Sequence, residues 1–227
     1  MNKVKWLQVN IPIDRQKFSD ALLLFPYRED GISGFRISRS SKNQIDGLHI
    51  FREEHSGTTI TPEGAAVPYS VTEYQVTKFS INFRKKIIRI SDYPRSIKRF
   101  SNDLFKICGI GFFLKEIDVD IISWIDIIGA GFDSAEFLSI EACNIGFGLD
   151  VSGKIKLVGI NDVRKSFLKF IGSRPYKIGS AEVVFMGRNN RKKVYFGTRA
   201  AMRFGDEVDD TFIDEVESGL LALIELA

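Results

Sequence analysis

Polar and apolar positions alternate at the start of the chain: Leu7, Val9 and Ile11 are separated by Gln8 and Asn10, a period of two that predicts a strand. Asp14 then caps a short amphipathic helix carrying Phe18, Leu22 and Leu23, closed before Pro26. The segments SGFRISRS and DGLHIFREE read as short alternating strands. TTITPEGAAVP, with its glycine and two prolines, reads as a loop, and a subdomain boundary falls at Pro62 to Pro68.

From Val71 onward the pattern becomes richer. In EYQVTKFSINF the apolar face runs through Tyr74 and Val76 and then changes phase to Phe79, Ile81 and Phe83, the signature of a β-bulge. In FLSIEACNIGFGLDV, Ile140 and Ala142 change phase in the same way to Ile145, Phe147, Leu149 and Val151. Each segment is followed by a turn and a second strand, KIIRIS or KIKLVG. A helix comes next, carrying Ile97, Phe100, Leu104 and Ile107 in one case and Val163, Phe167, Phe170 and Ile171 in the other, and an apolar strand closes each segment. Residues 71–119 and 138–186 thus read as two copies of a strand-strand-helix-strand unit. Two such units, joined by a helical stretch around Val119 to Ile128, predict an α+β fold: a mainly antiparallel sheet with its helices on one face. A further hairpin, turning at Asn189 and Asn190, leads to the last strands. The expected organisation is an N-terminal α+β subdomain over 1–70, a duplicated core with its hairpin over 71–205, and an acidic helix over 206–227.

Composition narrows the class. With 44% hydrophobic and 27% charged residues in 227, the chain can bury a core. No apolar run approaches the roughly 18 residues of a membrane span, and Met1 to Asn10 lacks the apolar stretch of a signal peptide. Two cysteines, Cys108 and Cys143, exclude a disulfide-rich secreted scaffold and point to the cytoplasm. The net charge of +3 conceals an asymmetry. Eight of the 29 acids follow Arg203 and no base does, so residues 1–205 hold 32 bases against 21 acids. The acidic end also reads as an ordinary amphipathic helix, with Phe212, Ile213, Val216, Leu220, Leu223 and Ile224 on one side and acids in the first turn. The sharper reading is that it shields a basic surface.

The basic candidates gather at turns. Arg84, Lys85 and Lys86 occupy the first hairpin turn; Arg188, Arg191, Lys192 and Lys193 surround the second, with Arg199 and Arg203 following. Turn tips project, and phosphate contacts require charge more than exact geometry, so these nine residues are the candidate nucleic-acid contacts; hairpin ends kept soluble by charge would look the same. Glu116, Asp118 and Asp120 alternate as strand carboxylates that could hold a divalent ion, the basis of an alternative reading as a metal-dependent nuclease. Gly129, Gly131 and Ser134 match a dinucleotide-binding spacing, but without the parallel strand-helix-strand context that the chemistry needs. His49 and His55 have no partners at metal-ligand spacing, and neither cysteine sits in a nucleophile signature. No cofactor is expected.

The segments FSINFRKKIIRIS, PRSIKRFSNDLF, SIEACNIGFGLDVSGKIKLVGI and RPYKIGSAEVVFM, about half of the chain, resemble in their order the plan of RexA-type phage-exclusion proteins of lambdoid prophages and, more distantly, RdgC. The resemblance implies a non-enzymatic, dimeric DNA-binding protein of phage or antiviral defence. A subunit that binds a protein partner through its apolar sheet face and acidic helix is the other class that these features fit.

Overall fold

A computed structural model describes residues 2–147, 151–188, 191–206 and 208–226, the side chain of 226 excepted. The strands are β1 (Asn2–Asn10), β2 (Ser33–Ser40), β3 (Gln44–Ile60), β4 (Ala66–Asn82), β5 (Ile87–Ser91), β6 (Phe113–Glu116), β7 (Ser134–Gly146), β8 (Ser152–Val158), β9 (Lys177–Met186), β10 (Arg191–Gly197) and β11 (Ala201–Phe204). The helices are α1 (Arg15–Leu24), α2 (Lys98–Cys108), α3 (Ile121–Gly129), α4 (Arg164–Ile171) and α5 (Asp210–Leu226). The architecture is α+β with a mainly antiparallel sheet. The chain divides into two compact units, residues 7–115 and residues 1–6 with 116–227, so β1 gives its first half to one and its second half to the other.

In the unit 7–115 the strands run in the order β2-β3-β4-β5-β1. Alternation along β4 and β5 sends Phe79, Ile81, Ile88 and Ile90 to one face, where they meet Phe18 and Leu22 of α1 and Phe100 and Leu104 of α2 in a single buried cluster. Each of these side chains contributes roughly 1.5–3 kcal/mol by leaving water. Asp14 caps α1 as predicted, its carboxylate accepting the Lys17 N–H at 2.9 Å, whereas Leu23 is exposed because the inward stripe passes through Phe18 and Leu22.

In the other unit the order is β1-β11-β10-β9-β7-β8. Its core face, with Val183, Phe185, Val194, Phe196 and Met202, is covered by Trp124 of α3 and Phe212 and Val216 of α5. The Trp124 indole N–H donates to the Val216 carbonyl at 3.0 Å, and Trp6 donates to Glu217 at 3.0 Å, so α5 is tied into this core at two points.

Three sequence expectations change. The segment 58–68 is not a loop. β3 and β4 pair without interruption from Gln44↔Asn82 to Ile60↔Ala66, leaving only 61–65 as the turn, so the boundary at Pro62 to Pro68 is the tip of a hairpin and residue 70 lies inside a strand. That same unbroken register removes the bulge expected near Val76: the inward series is Thr77, Phe79, Ile81, while Tyr74 and Val76 lie on the other face, exposed. The second phase change is real, for the β7–β8 register shifts between Ala142 and Ile145 and Asn144 takes φ 53°. The strand-strand-helix-strand order does occur at β4-β5-α2-β6 and at β7-β8-α4-β9, but β9 pairs with β7 whereas the four-residue β6 pairs with β1, so the two segments do not share a sheet order. The helix expected near the C-terminus is α5, and its apolar residues Phe212, Val216 and Leu220 belong to the core just described. The Asn189–Asn190 turn, Leu149 and Asp150 lie outside the described residues.

Candidate nucleic-acid interface

At one end of the unit 7–115, backbone hydrogen bonds bring two hairpin turns side by side. The Phe83 N–H donates to the Asn43 carbonyl at 2.9 Å, joining the β4–β5 turn to the β2–β3 turn, and the Val9 N–H donates to Lys86 O at 2.9 Å. The start of α1 reaches the same end: the Phe18 ring packs edge-on against Phe83 at 5.5 Å, and the Arg15 guanidinium donates to the Ser40 hydroxyl. Local chemistry fixes the second turn. Asn82 accepts the Lys85 N–H through its side chain at 3.0 Å, and Lys86 takes a left-handed conformation with φ 52°.

This geometry collects Arg84, Lys85 and Lys86 with Arg39 and Lys42 of the β2–β3 hairpin and Arg15 and Lys17 of α1. Seven bases stand there, against Asp14, Asp46 and, one turn along α1, Asp20. Arg84, Lys85 and Lys86 are exposed, and among the described residues no carboxylate pairs with them. Asp14 is held below the usual carboxylate range by the Lys17 backbone N–H, and lies 3.5 Å from the Lys17 ammonium. Exposed, unpaired cations on hydrogen-bonded turns can neutralise phosphates at little ordering cost, because the backbone carrying them is already fixed. Sequence reading found the 84–86 cluster; it missed Arg15, Lys17, Arg39 and Lys42, which come together only through the turn-to-turn and helix-to-turn contacts.

The other predicted bases belong to the second unit and are differently placed. Strand alternation sends Lys192 inward with Val194 and Phe196: its ammonium sits 3.1 Å from Asp209 and 5.1 Å from the Phe212 ring centroid, buried and unable to reach a ligand. Lys193 pairs with Glu182 at 2.8 Å and Arg199 with Glu116 at 3.1 Å. Arg203 lies over the Tyr195 ring at 5.7 Å. Arg188 and Arg191 are exposed. The nine predicted contacts therefore split into a free set at 84–86 and a set in which Lys192 is structural and Lys193 and Arg199 are already neutralised.

Glu116, Asp118 and Asp120 are not brought together. β6 ends at Glu116, so the strand alternation assumed for all three stops there. Glu116 pairs with Lys5 at 2.6 Å, and that hydrogen bond holds its carboxyl below the ordinary range. Asp118 pairs with Lys177 at 2.6 Å, and Asp120 caps α3 by accepting the Ser123 N–H at 2.8 Å. Among the described residues no group of three His, Cys, Asp or Glu side chains has metal-binding geometry. Gly129 ends α3 and Gly131 follows it, so this glycine pair leaves a helix instead of opening one, the reverse of a dinucleotide site. Burial pushes the Cys108 thiol up to about 12, far from a nucleophile's range.

His49 carries a buried polar pairing that sequence reading did not suggest. It is buried between Phe35 and Phe100, with Nε2 2.9 Å from Asp103, which also accepts from Lys106 at 2.7 Å. Burial lowers the His49 pKa against the opposing pull of Asp103. Asp103 stays below the usual carboxylate range because Lys106, His49 and Ser33 all donate to it, outweighing its own desolvation. The pair braces α2 against β3.

No protein-family model matches the chain, and no curated protein matches it. Among the described residues no helix is long and apolar enough to cross a membrane.

Proposed function

We propose that this protein binds nucleic acid, DNA foremost, as a non-enzymatic accessory protein, gripping the phosphate backbone through the basic end of the unit 7–115. The observation that carries the reading is the convergence of Arg84, Lys85 and Lys86 with Arg15, Lys17, Arg39 and Lys42 on two turns held together by the Phe83–Asn43 hydrogen bond. The cluster offers charge without a shaped pocket of donors for base edges, which suits backbone contact in place of sequence readout. The likeness to RexA-type proteins adds phage exclusion, in the cytoplasm, as the setting. Fluorescence anisotropy with labelled duplex DNA, single-stranded DNA and RNA at several salt concentrations tests it. Duplex DNA binding that weakens linearly in a log–log salt plot is the expected outcome, and an absence of binding to any of the three at low salt would sink the proposal.

A further inference from the structure

The outer half of the β3–β4 hairpin is a two-stranded arm. Both strands are 17 residues long, well beyond the usual three to ten. Residues 54–60 and 66–74 are exposed almost throughout, including Val67, Tyr69 and Val71 on one face. β2 covers β3 only as far as Phe51, and β5 covers β4 only from Lys78, so both outer edges of the arm lack a strand partner among the described residues.

The two edges are not equivalent. The Phe83 N–H donates to Asn43, and the Arg52 N–H donates to the Ile32 carbonyl at 2.8 Å. Odd-numbered residues of β3 therefore exchange hydrogen bonds with β4, and even-numbered ones turn their N–H and C=O outward. On β3 this leaves Glu54, Ser56, Thr58 and Ile60 with complete outward hydrogen-bonding groups. On β4 the outward row is also even-numbered, and Pro68, opposite Thr58, interrupts it with a residue that has no N–H. One edge is open to strand addition and the other is blocked.

We infer that the open edge Glu54–Ile60 pairs with the same edge of a second copy of this chain, antiparallel about a two-fold axis through Gly57. Outward-facing residues must oppose each other across the seam, and the register centred on Gly57 alone uses the whole free edge, setting Glu54 against the partner's Ile60 and Ser56 against the partner's Thr58. Moving the centre to Ser56 calls on Arg52, whose donor is taken by Ile32; moving it to Thr58 calls on Pro62, in the hairpin tip. In the Gly57 register no acid faces an acid. The Tyr69 ring lies across Gly57, where a Cβ would come within 2.7 Å of the tyrosine oxygen and push the ring aside. Two Tyr69 rings then cover the centre of the seam. Pro68 on the far edge of each arm stops further strands from adding, so the product is a closed dimer and not a fibre.

The test is sedimentation velocity on the full chain and on two proline variants, each checked for folding by its thermal melt. Ser56→Pro removes an outward donor on the open edge without breaking a bond inside the arm, and should turn a dimeric protein monomeric. Ser70→Pro, on the edge already interrupted by Pro68, should leave it dimeric. Should Ser56→Pro fail to fold, mixing Ser56→Cys and Thr58→Cys chains, both with Cys143→Ser, gives the same answer: a disulfide-linked heterodimer is expected, since hydrogen-bonded pairs stand about 5.5 Å apart at Cα. A wild-type chain that stays monomeric at high concentration overturns the inference, as does a folded Ser56→Pro variant that remains a dimer, or mixed chains that form no cross-link.

Discussion

A buried histidine beside a carboxylate links acidity to stability in a direction that can be worked out. The His49 pKa is lowered from 6.5 in the fold, so the native state binds this proton less readily than the unfolded chain; its stabilising contribution is complete above pH 6.5 and is lost as pH falls below that value. Asp103, also lowered, adds a second loss below its ordinary 3.8. Thermal melts of the wild-type protein should therefore fall as pH drops from 7 to 5, and His49→Gln should flatten that dependence while costing about 1–3 kcal/mol at pH 7 for the disturbed buried pair. A wild-type melting temperature that is constant over this interval would contradict the assignment. Lys192 offers the complementary case. Lys192→Ala should lower stability by about 1 kcal/mol, through the lost contacts to Asp209 and Phe212, and leave DNA affinity unchanged. From composition alone Lys192 is one more base in a basic run. Its inward direction follows from the alternation of Val194 and Phe196, a signal present in the sequence but outweighed there by charge.

Among the elements, long amphipathic segments were the readable ones. α1, α2 and α4 follow the apolar spacing of Phe18 and Leu22, of Phe100 and Leu104, and of Phe167 and Ile171, and β2 coincides with SGFRISRS. The β3–β4 arm was unreadable for a physical reason: its residues contact solvent on both faces, so no burial imprints an alternation on TTITPEGAAVP, and the prolines and glycine of its tip dominate the local signal. At α5 the apolar stripe and the acids were both visible, and the contacts of Trp124 and Trp6 decide in favour of a core helix. Asp209 accepts the Phe212 N–H at 2.9 Å at the helix entrance and also holds Lys192. Asp209→Ala should accordingly lower stability measurably in chemical denaturation, and by more than removal of an acid such as Glu215 that caps nothing.

At the scale of the whole molecule, the charge asymmetry was legible from residue counts, but the distribution of the bases was not. A helix start and two turns that are distant in sequence supply Arg15, Lys42 and Arg84 to one end of the unit 7–115, while Lys193 and Arg199, equally basic on paper, are neutralised by Glu182 and Glu116. The most direct measurement compares two triple variants by salt-dependent anisotropy on the same duplex DNA: Arg84→Ala with Lys85→Ala and Lys86→Ala, and Lys192→Ala with Lys193→Ala and Arg199→Ala. The first should lose affinity and lower the log–log salt slope by about 2–3, the loss of up to three phosphate contacts; the second should keep the wild-type slope. Equal losses in both variants, or a loss confined to the second, would contradict binding through the basic end of the unit 7–115.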